Sequence, residues 1–343
     1  MKNYYISSKE GDSGVSKYAR DFYELILKDK GYIFVESNQD LSTIFSLVSS
    51  KDAVHIEIDI FQKKEIEILF LMLKANYKYV SVTLHDAPLI KYPFYEFSNP
   101  FLNNVSRLYD KYFNSFRSAI PYLKKIKAIY VFSQKEMEAV KKRYRLENVH
   151  LLPYVINSSK IKKDNSINNN LVYSNNIYKH KDLEYFLLLH QQLLNNYPDI
   201  NFYITGRPAE SEISSYHSIK ERYRKNVHYF DQEKKESMST VYEQATFALM
   251  PSKNSNLQGS VKRNVLDNLK KGKIVLTTRL NDFSEIIRNG QTGFYLSGIL
   301  KNDIELLLRL FDNKLLIENV KDEIYNYLVI NHSAEIVRKN LIN

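Results

Sequence analysis

Short runs of β-branched and aromatic residues alternate with longer amphipathic stretches along the first half of the chain. The short runs have the length of buried strands and occupy residues 4–7, 32–35, 53–58, 79–84, 128–132 and 149–152. The stretches between them repeat apolar residues at helical spacing and occupy residues 16–28, 41–48, 62–75, 101–126 and 134–143. Strands that alternate with helices form mostly parallel sheets with both faces covered. The pattern therefore predicts a Rossmann-like α/β domain over residues 1–156.

The alternation restarts after residues 157–170, a polar stretch of Asn, Ser and Lys that is typical of a linker. Strands are then predicted at residues 171–174, 201–205, 227–230, 247–250, 274–277 and 294–296, and helices at 182–194, 211–223, 235–245 and 261–271. The tail is predicted to be helical from about residue 302. We expect a second Rossmann-like domain over residues 171–329, and we expect the last helix, within 330–343, to join the first domain.

The composition restricts the partners and the compartment. The chain has 343 residues, a net charge of +10 and no cysteine, so disulfides and thiolate metal sites are excluded. No apolar run approaches the roughly 20 residues of a membrane-spanning helix, and the N-terminal residues lack the apolar core of a signal peptide. We expect a cytoplasmic protein. Its basic residues are spread along the chain, which argues against a dedicated nucleic-acid-binding arm.

A loop in the second half is suited to binding phosphate. A buried strand ends before Pro251, residues 252–260 form a polar loop, and a helix is predicted to follow. Gly259 and Ser260 would then offer backbone amides at a helix N-terminus, where free N–H groups and the helix dipole favour an anion. Lys262 adds positive charge in the first turn. An ordinary α/β crossover with a solvated basic turn is the alternative explanation.

Several segments, in this order, carry a resemblance to a known family. They are GVSKYARDFYEL at 14–25, VTLHDAP at 82–88, AIYVFS at 128–133 with VHLLP at 149–153, LVYSNNIYKHKDLE at 171–184, and the stretch from 249 to 278. Together they resemble the GT-B glycosyltransferases, specifically the large retaining family four, the glycosyl transferases group 1. The resemblance runs along nearly the whole chain. It implies an α/β fold of two Rossmann-like domains whose parallel sheets face a central cleft.

The resemblance also implies roles for residues at the matching positions. His85, at a strand end, would contact the hydroxyls of the donor sugar, and Lys181 would contact its phosphate. The expected donor-binding residues are Gly14, Asn175, Asn176, Gly206, Gln258, Gly259, Ser260, Lys262 and Asp267. The glycine at position 14 would also let a ligand approach the backbone closely.

Some positions depart from the family pattern. Asn175 and Asn176 stand where the family favours Gly-Arg, and Asp267 stands where it has its second acidic residue. Gly259 occupies the position of the first acidic residue, or Gln258 does if the loop differs by one residue. The sugar contact of that missing acid must come from loop residues 254–258, or it is lost.

The chain offers no metal clamp for the leaving diphosphate, because no Asp-x-Asp pair occurs in it and the His residues lack ligand spacing. No metal and no other cofactor are therefore expected. The negative charge would be stabilised by Lys181, by the amides of Gly259 and Ser260, and by Lys262.

These features predict a metal-independent and retaining glycosyltransferase. It would move a sugar from a UDP- or GDP-sugar to a glycan, lipid-linked or protein acceptor in cell-surface polysaccharide or glycoconjugate synthesis. A catalytically silent GT-B protein, acting as a subunit or chaperone of an active transferase, is the alternative, because it would explain the missing acid. A nucleotide-sugar epimerase on the same fold is disfavoured, because the chain lacks the several acidic and His residues that such chemistry would need. A nucleic-acid binder fits the charge but no motif.

Residues 101–127 form a long, aromatic and basic stretch. A basic amphipathic helix can dock on an anionic membrane surface, which would make the protein peripheral on the inner face of the cell membrane. A packed internal helix with a solvated basic edge is the alternative.

Overall fold

The chain divides into two units, each with its own parallel sheet. The first unit contains Met1–Asn157, Asn256–Ser260 and Asn331–Asn343, and the second contains Ser158–Ser255 and Val261–Ile330. The structure, a computed structural model, describes residues 1–8, 14–59, 63–85, 121–161, 167–174, 177, 182–230, 240–241, 243–250, 259–278 and 283–341.

The described residues of the first unit form a six-stranded parallel sheet in the spatial order β2-β1-β3-β4-β5-β6. Its strands are β1 (Asn3–Ser7), β2 (Tyr32–Glu36), β3 (Ala53–Asp59), β4 (Tyr79–His85), β5 (Ala128–Val131) and β6 (Val149–Leu151). The helices described between them are α1 (Gly14–Phe22), α2 (Leu41–Leu47), α3 (Lys63–Lys74) and α4 (Gln134–Tyr144). Strands predicted from the sequence match these strands, because each is a short, buried, β-branched or aromatic run.

One face of this sheet is apolar and forms the main core of the first unit. Successive side chains of a strand point to opposite faces, so alternate residues of each strand reach this core. Its members on the four central strands are Tyr4, Ile6, Val54, Ile56, Ile58, Val80, Val82, Leu84, Ile129 and Val131. Residues of α2, α3 and α4, including Ile44, Leu69 and Val140, pack against them. The opposite face lies under α1 and carries the polar residues described below.

The helix predicted over residues 16–28 is not one regular α-helix. It begins earlier, at Gly14, and after α1 it continues as a wider π-helical turn over Tyr23–Leu27. Lys28 N donates to Tyr23 O at 2.9 Å, the bond that closes this turn. The turn inserts one residue into the helical spacing. The ring of Tyr23 stacks on Tyr5 with the ring centroids 6.2 Å apart. This contact with a distant strand cannot be predicted from the spacing of apolar residues along the helix.

In the second unit, the described residues form another six-stranded parallel sheet, in the order β12-β11-β10-β7-β8-β9. Its strands are β7 (Leu171–Tyr173), β8 (Phe202–Ile204), β9 (Val227–Tyr229), β10 (Phe247–Met250), β11 (Ile274–Thr278) and β12 (Gly293–Leu296). Its described helices are α5 (Leu183–Leu193), α6 (Ile213–Arg222), α7 (Gly259–Lys270), α8 (Leu300–Phe311) and α9 (Lys314–His332). The strand order reverses between β7 and β10, and open α/β sheets bind ligands beyond the carboxyl ends of strands at such a reversal.

The polar stretch predicted as a linker is bound to the second unit at its end. Asn168 donates its N–H to Thr246 Oγ1 at 2.9 Å and accepts from Thr246 N at 3.2 Å. Asn170 donates to Gln244 O at 2.9 Å and accepts from Asn201 N at 2.8 Å. The side chains of Asn168 and Asn170 therefore hydrogen-bond to backbone groups beside β7, which is a structural reason for asparagine at these two positions.

The C-terminal helix α10 (Ala334–Asn340) packs on the first unit. Ile156 N donates to His332 O at 2.8 Å, where α9 ends. Arg338 on α10 donates to Leu25 O at 2.7 Å and to the carboxylate of Asp29 at 2.6 Å. These contacts attach the chain end to the π-helical turn and to the loop that follows it.

Candidate functional site

Polar side chains line the second face of the first sheet. On β3, His55 and Glu57 share this face, and on β4 it carries Ser81, Thr83 and His85. The strand register pairs His55 with Ser81 and Glu57 with Thr83. Strands of a parallel sheet covered on both faces are normally apolar on both sides. A polar set at these positions needs internal hydrogen bonds, because unpaired polar groups are costly to bury.

Glu57 is the centre of this set, and its side chain is fully buried. Its Oε1 atom accepts a hydrogen bond from the Tyr5 hydroxyl at 2.9 Å and lies 3.2 Å from His55 Nε2. Its Oε2 atom lies 2.7 Å from His85 Nε2. Both carboxylate oxygens are thus paired, which is the condition under which a charge is tolerated inside a protein.

The pKa of Glu57 reflects these contacts. Burial alone raises the pKa of a carboxyl group, but the hydrogen bonds and electrostatic attraction of His55 and His85 outweigh burial and lower the pKa of Glu57 to about 2. Burial and the Glu57 charge raise the pKa of Tyr5 well above its ordinary value. Near neutral pH, Glu57 is therefore ionised and accepts hydrogen bonds only, whereas Tyr5 is protonated and donates.

The ionised carboxylate determines which ring nitrogens carry hydrogen. Because Glu57 cannot donate, Nε2 of both His55 and His85 must carry the hydrogen in these contacts. The other contacts of His55 are 2.8 Å from Nδ1 to Ser81 Oγ and 2.8 Å from Nε2 to Thr83 Oγ1. His55 is therefore satisfied inside the core. His85 faces Glu57 with Nε2, and Nδ1 is its second ring nitrogen.

Aromatic rings fix the orientation of the His85 ring. Tyr18 on α1 meets it edge-on at 5.1 Å, and Phe132 meets it at 4.9 Å with a tilt of 54°. Phe132 in turn stacks on Tyr154 at 3.9 Å. His85 is the last residue of β4, so the clamped ring lies at the carboxyl edge of the sheet, where α/β proteins bind ligands.

The predicted first-unit residues thus lie at element ends. Gly14 is the first residue of α1, and His85 is buried, with 4% of its surface exposed. Contact of His85 with a sugar stays a prediction. His85 is predictable from its motif, whereas its neighbours Tyr5, His55, Glu57 and Thr83 carry no motif that marks them. The missed signal was the polar residue at every second position of two strands predicted to be buried.

In the second unit, a buried amide joins β7 to α7. Asn268 Nδ2 lies 2.8 Å from Ser174 Oγ and 2.7 Å from the carbonyl oxygen of Asn264. Ser174 directly follows β7, the strand at which the sheet order reverses. The predicted donor residue Gly206 is buried and follows Thr205, whose N–H and hydroxyl both donate to Tyr173 O. These contacts hold the backbone at the carboxyl ends of β7 and β8.

The prediction that residues 252–260 form a loop is wrong at its end, because α7 starts at Gly259 and not after Ser260. Gly and Ser have low propensity inside helices, but the first turn has free N–H groups in any case, and both residues are tolerated there. The backbones of Gly259, Ser260 and Lys262 therefore lie in the first turn of a 12-residue helix. The N–H groups of a first turn have no acceptor within their own helix, which is the condition that the phosphate prediction requires.

Asp267 lies further along α7. Its side chain is 42% exposed, and Arg263 Nε lies 3.7 Å from its carboxylate. The carboxylate is therefore accessible to a ligand, and its predicted ribose contact stays a prediction. Asn175, Asn176, Lys181 and Gln258 lie outside the described residues.

The described residues contain neither a candidate metal cluster nor a candidate membrane-spanning helix. No group of three or more His, Cys, Asp or Glu side chains in the described parts of the chain has an arrangement that could hold a metal ion. No helix in those same parts is both long and apolar enough to cross a membrane.

Known structures with the same fold span this chain closely. HepE from Anabaena, in complex with UDP, superposes with a TM-score of 0.73 at 11% identity, covering 99% of this chain and 98% of that one. Sucrose-phosphate synthase from Thermosynechococcus elongatus gives a TM-score of 0.73 at 12% identity, covering 99% and 97%. TarM from S. aureus gives 0.64 at 11% identity over 88% of this chain. The chain spans 57% of the length of that TarM.

Sequence comparison adds a family match in the second unit. Residues 157–324 match the model of the family described as glycosyl transferases group 1. A comparison with curated proteins gives no significant match. The two six-stranded parallel sheets are those of the GT-B architecture shared with the superposed structures. Residues 157–324 therefore resemble a glycosyl transferases group 1 domain, and the chain has the GT-B fold of the superposed structures.

Proposed function

We propose that this protein transfers a sugar from a uridine diphosphate sugar to a glycan acceptor. The observation that carries the proposal is the family match over residues 157–324, which spans β7 to α8 and most of α9. The matched residues contain the reversal of strand order and the α7 N-terminus, both of which are suited to a nucleotide diphosphate.

Uridine is favoured over guanosine by the ligands of the superposed structures. HepE is described in complex with UDP and with UDP-glucose, and TarM with UDP and alpha-GlcNAc-glycerol. The pneumococcal O-GlcNAc transferase GtfA is described in complex with UDP and GlcNAc. These proteins are between 10% and 14% identical to the chain, so they support a UDP-sugar as the donor class and leave the sugar itself open.

The proposed donor contacts lie mostly in the second unit. Amides at the start of α7, together with Lys181 and Lys262, would stabilise the negative charge of the leaving diphosphate. Asp267 would accept hydrogen bonds from the ribose hydroxyls. Asn175, Asn176, Gly206, Gln258 and Gly14 complete the proposed donor-binding set. In the first unit, His85 would contact the donor sugar.

We propose that the transfer retains the anomeric configuration and needs no resident metal. The retaining outcome rests on the family resemblance. Independence from metal rests on the cations and amides named above, which can neutralise the diphosphate. Activity should therefore persist after dialysis against EDTA, and a loss that Mg²⁺ or Mn²⁺ restores would contradict this part of the proposal.

The acceptor is proposed to be a growing glycan, carried on lipid or protein, in the synthesis of cell-surface polysaccharide or glycoconjugate. Lys124, Lys125 and Lys127 are exposed on the first unit and would favour contact with an anionic membrane at the inner face of the cell. Co-sedimentation with anionic but not with zwitterionic vesicles is the expected result. Equal sedimentation with both would remove the electrostatic contact.

Thermal denaturation with nucleotides tests the proposed donor. A ligand at 100 times its Kd stabilises the folded state by about 2.7 kcal/mol, which corresponds to a shift of roughly 5 to 10 °C in Tm for a domain of this size. UDP should give such a shift, and GDP and ADP should give much smaller ones. Lys181→Ala should reduce the UDP shift, whereas Lys301→Ala, at an exposed position on α8, should not. No shift with any nucleotide would contradict donor binding.

A catalytically silent GT-B protein is the second candidate, and one observation favours it. Gly259, where the family resemblance expects an acidic residue, is the first residue of α7, so its position offers only backbone groups. A silent subunit would bind a partner transferase and release no UDP from any UDP-sugar. Pull-down of a second transferase by inactive protein would support it, and turnover by the isolated chain would exclude it.

A further inference from the structure

We propose that Glu57 is a positioning residue for His85, which holds the His85 ring by Nε2–H and so leaves Nδ1 as the ring nitrogen that contacts a hydroxyl of the donor sugar. The inference rests on the proposed function, in which His85 contacts that sugar. It assigns a role to a buried carboxylate that neither the family match nor the donor contacts require.

The geometry places the two groups on rigid elements. Glu57 lies inside β3 and His85 ends β4, and the register pairs His85 with Asp59, two residues after Glu57. Glu57 and His85 are therefore diagonal neighbours on one face of the sheet. Long side chains reach across such a diagonal, and the 2.7 Å contact is the shortest hydrogen bond of the Glu57 carboxylate.

The carboxylate itself is held in place by other groups. The Tyr5 hydroxyl and His55 Nε2 both contact Oε1, which leaves Oε2 for His85. Tyr5, His55 and Glu57 are all buried. A site works when the groups around it lock the rotamers of its functional side chains. This set supplies that support for the His85 ring.

A purely structural role accounts less well for the arrangement. Burying an ionised carboxylate is costly, and well-packed apolar residues often replace such a charge without loss of stability. His55 does not require Glu57 for its hydrogen bonds, because Ser81 and Thr83 already contact its two nitrogens. The contacts that depend on Glu57 are those with the Tyr5 hydroxyl and with His85, and of these two partners His85 is the one at a strand end. Among the residues that the structure describes, Tyr5, Tyr18 and His55 are the titratable side chains that face Glu57 and His85 from β1, α1 and β3, and Tyr130 contributes a ring from β5.

Nitrogen-15 NMR of the unmodified protein provides the first test, without substrate and without activity. Long-range histidine spectra distinguish Nε2–H from Nδ1–H tautomers, and the His85→Asn variant assigns the signal. We expect the His85 signal to show hydrogen on Nε2. A neutral His85 ring with hydrogen on Nδ1 would overturn the inference, whether or not the protein transfers sugar.

Kinetics of the Glu57→Gln variant provide the second test, because Gln keeps the shape and removes the charge. Loss of the partner that orients a metal-ligating histidine typically costs roughly 10- to 100-fold in metal affinity or activity, and we expect a fall of the same order in kcat when His85 loses its carboxylate partner. The donor KM should change less than threefold. In the His85→Ala background, Glu57→Gln should cause no further fall in kcat, because the two residues act through one contact.

Tyr4→Phe is the matched control. It removes the hydrogen bond of the neighbouring β1 tyrosine to Leu47 O, on the apolar face of the sheet, and leaves the contact between Glu57 and His85, so kcat should stay within twofold of the unmodified value. Three results would overturn the inference: unchanged kcat in Glu57→Gln, an equal fall with and without His85, or an equal fall in Tyr4→Phe. If Glu57→Gln does not fold, the NMR measurement on the unmodified protein still tests whether His85 carries its hydrogen on Nε2, as the inference requires. Absence of any turnover would contradict the proposed function and leave the tautomer result readable.

Discussion

The Nε2 atom of His85 lies 2.7 Å from Oε2 of Glu57, and both side chains are buried. The two residues are 28 positions apart in the chain. Neighbouring parallel strands bring them together on the face of the sheet that lies under α1. The contact links a strand end, where ligands bind in α/β proteins, to a charge inside the sheet.

The stability of the first unit should depend on the Glu57 charge. The pKa of Glu57 is about 2 in the folded protein, against an ordinary value of 4.5. Its stabilising contribution is therefore fully present above pH 4.5 and is lost as the pH falls from 4.5 towards 2. At about 1.4 kcal/mol per pKa unit, the contribution is on the order of 3 kcal/mol.

The matched measurement compares the unmodified protein with Glu57→Gln. Their difference in unfolding free energy should be largest at pH 6 and should shrink at pH 3, since at pH 3 the carboxyl of the unfolded chain, with its ordinary pKa of 4.5, is protonated, whereas Glu57 in the folded protein stays largely ionised. A difference that stays constant between these two values would show that the Glu57 charge does not contribute.

His332 should make the attachment of the chain end sensitive to mild acid. Burial lowers the pKa of His332 to about 4, against an ordinary value of 6.5, although its hydrogen bond to Tyr154 O acts in the opposite direction. Folding therefore favours neutral His332. The stability that it contributes is present above pH 6.5 and is lost as the pH falls towards 4, by on the order of 3 kcal/mol.

The variant His332→Asn keeps a donor for Tyr154 O and removes the titration. Its Tm should fall less between pH 7 and pH 5 than that of the unmodified protein. An equal fall in both proteins would assign the acid sensitivity to other groups.

Asp267 should affect donor affinity more than turnover. Its carboxylate is half-exposed on α7, and a hydrogen bond to a charged group contributes about 1.5 to 3 kcal/mol. Asp267→Asn should therefore raise the donor KM by roughly tenfold or more and leave kcat within threefold. Asp199→Asn, at an exposed loop position of the same unit, should leave both constants unchanged. Unchanged KM in Asp267→Asn would remove the ribose contact.

The amide of Asn268 should be a stability determinant of the second unit. Replacement by Ala removes buried hydrogen bonds to Ser174 and Asn264, at a cost of about 1 to 3 kcal/mol. Asn340 is the matched control, because its exposed amide also donates to the carbonyl four residues earlier, on Ile336. Asn340→Ala should change the unfolding free energy by less than about 0.5 kcal/mol. Equal losses in the two variants would contradict the buried role.

The strands are predictable because a strand of a parallel sheet is covered on both faces, so its sequence is a short, mostly apolar run. Residues 79–84 and 247–250 are apolar runs, and they form β4 and β10. The length of such a run does not show whether one face of the strand is polar, and a strand prediction alone therefore does not identify Glu57. The signal for Glu57 is the occurrence of polar residues at every second position of two buried strands, with His55 and Glu57 on β3 and Thr83 and His85 on β4.

Other details depend on tertiary packing that local pattern does not contain. The π-helical turn at Tyr23–Leu27 accompanies the stacking of Tyr23 on Tyr5, a contact with a distant strand. The start of α7 at Gly259 runs against helix propensity, which matters little in a first turn. His85 was identified by its motif and its strand end, whereas the partner that orients it comes from another strand.

Release of UDP from a panel of UDP-sugars is the most direct test of the central claim that this chain is a UDP-sugar-dependent transferase. The isolated protein should release UDP from at least one member of the panel, with the rate raised by a glycan acceptor and strongly reduced in His85→Ala. Absence of UDP release from every member, in protein that still shows the UDP-dependent rise in Tm, would contradict transfer and favour the silent subunit.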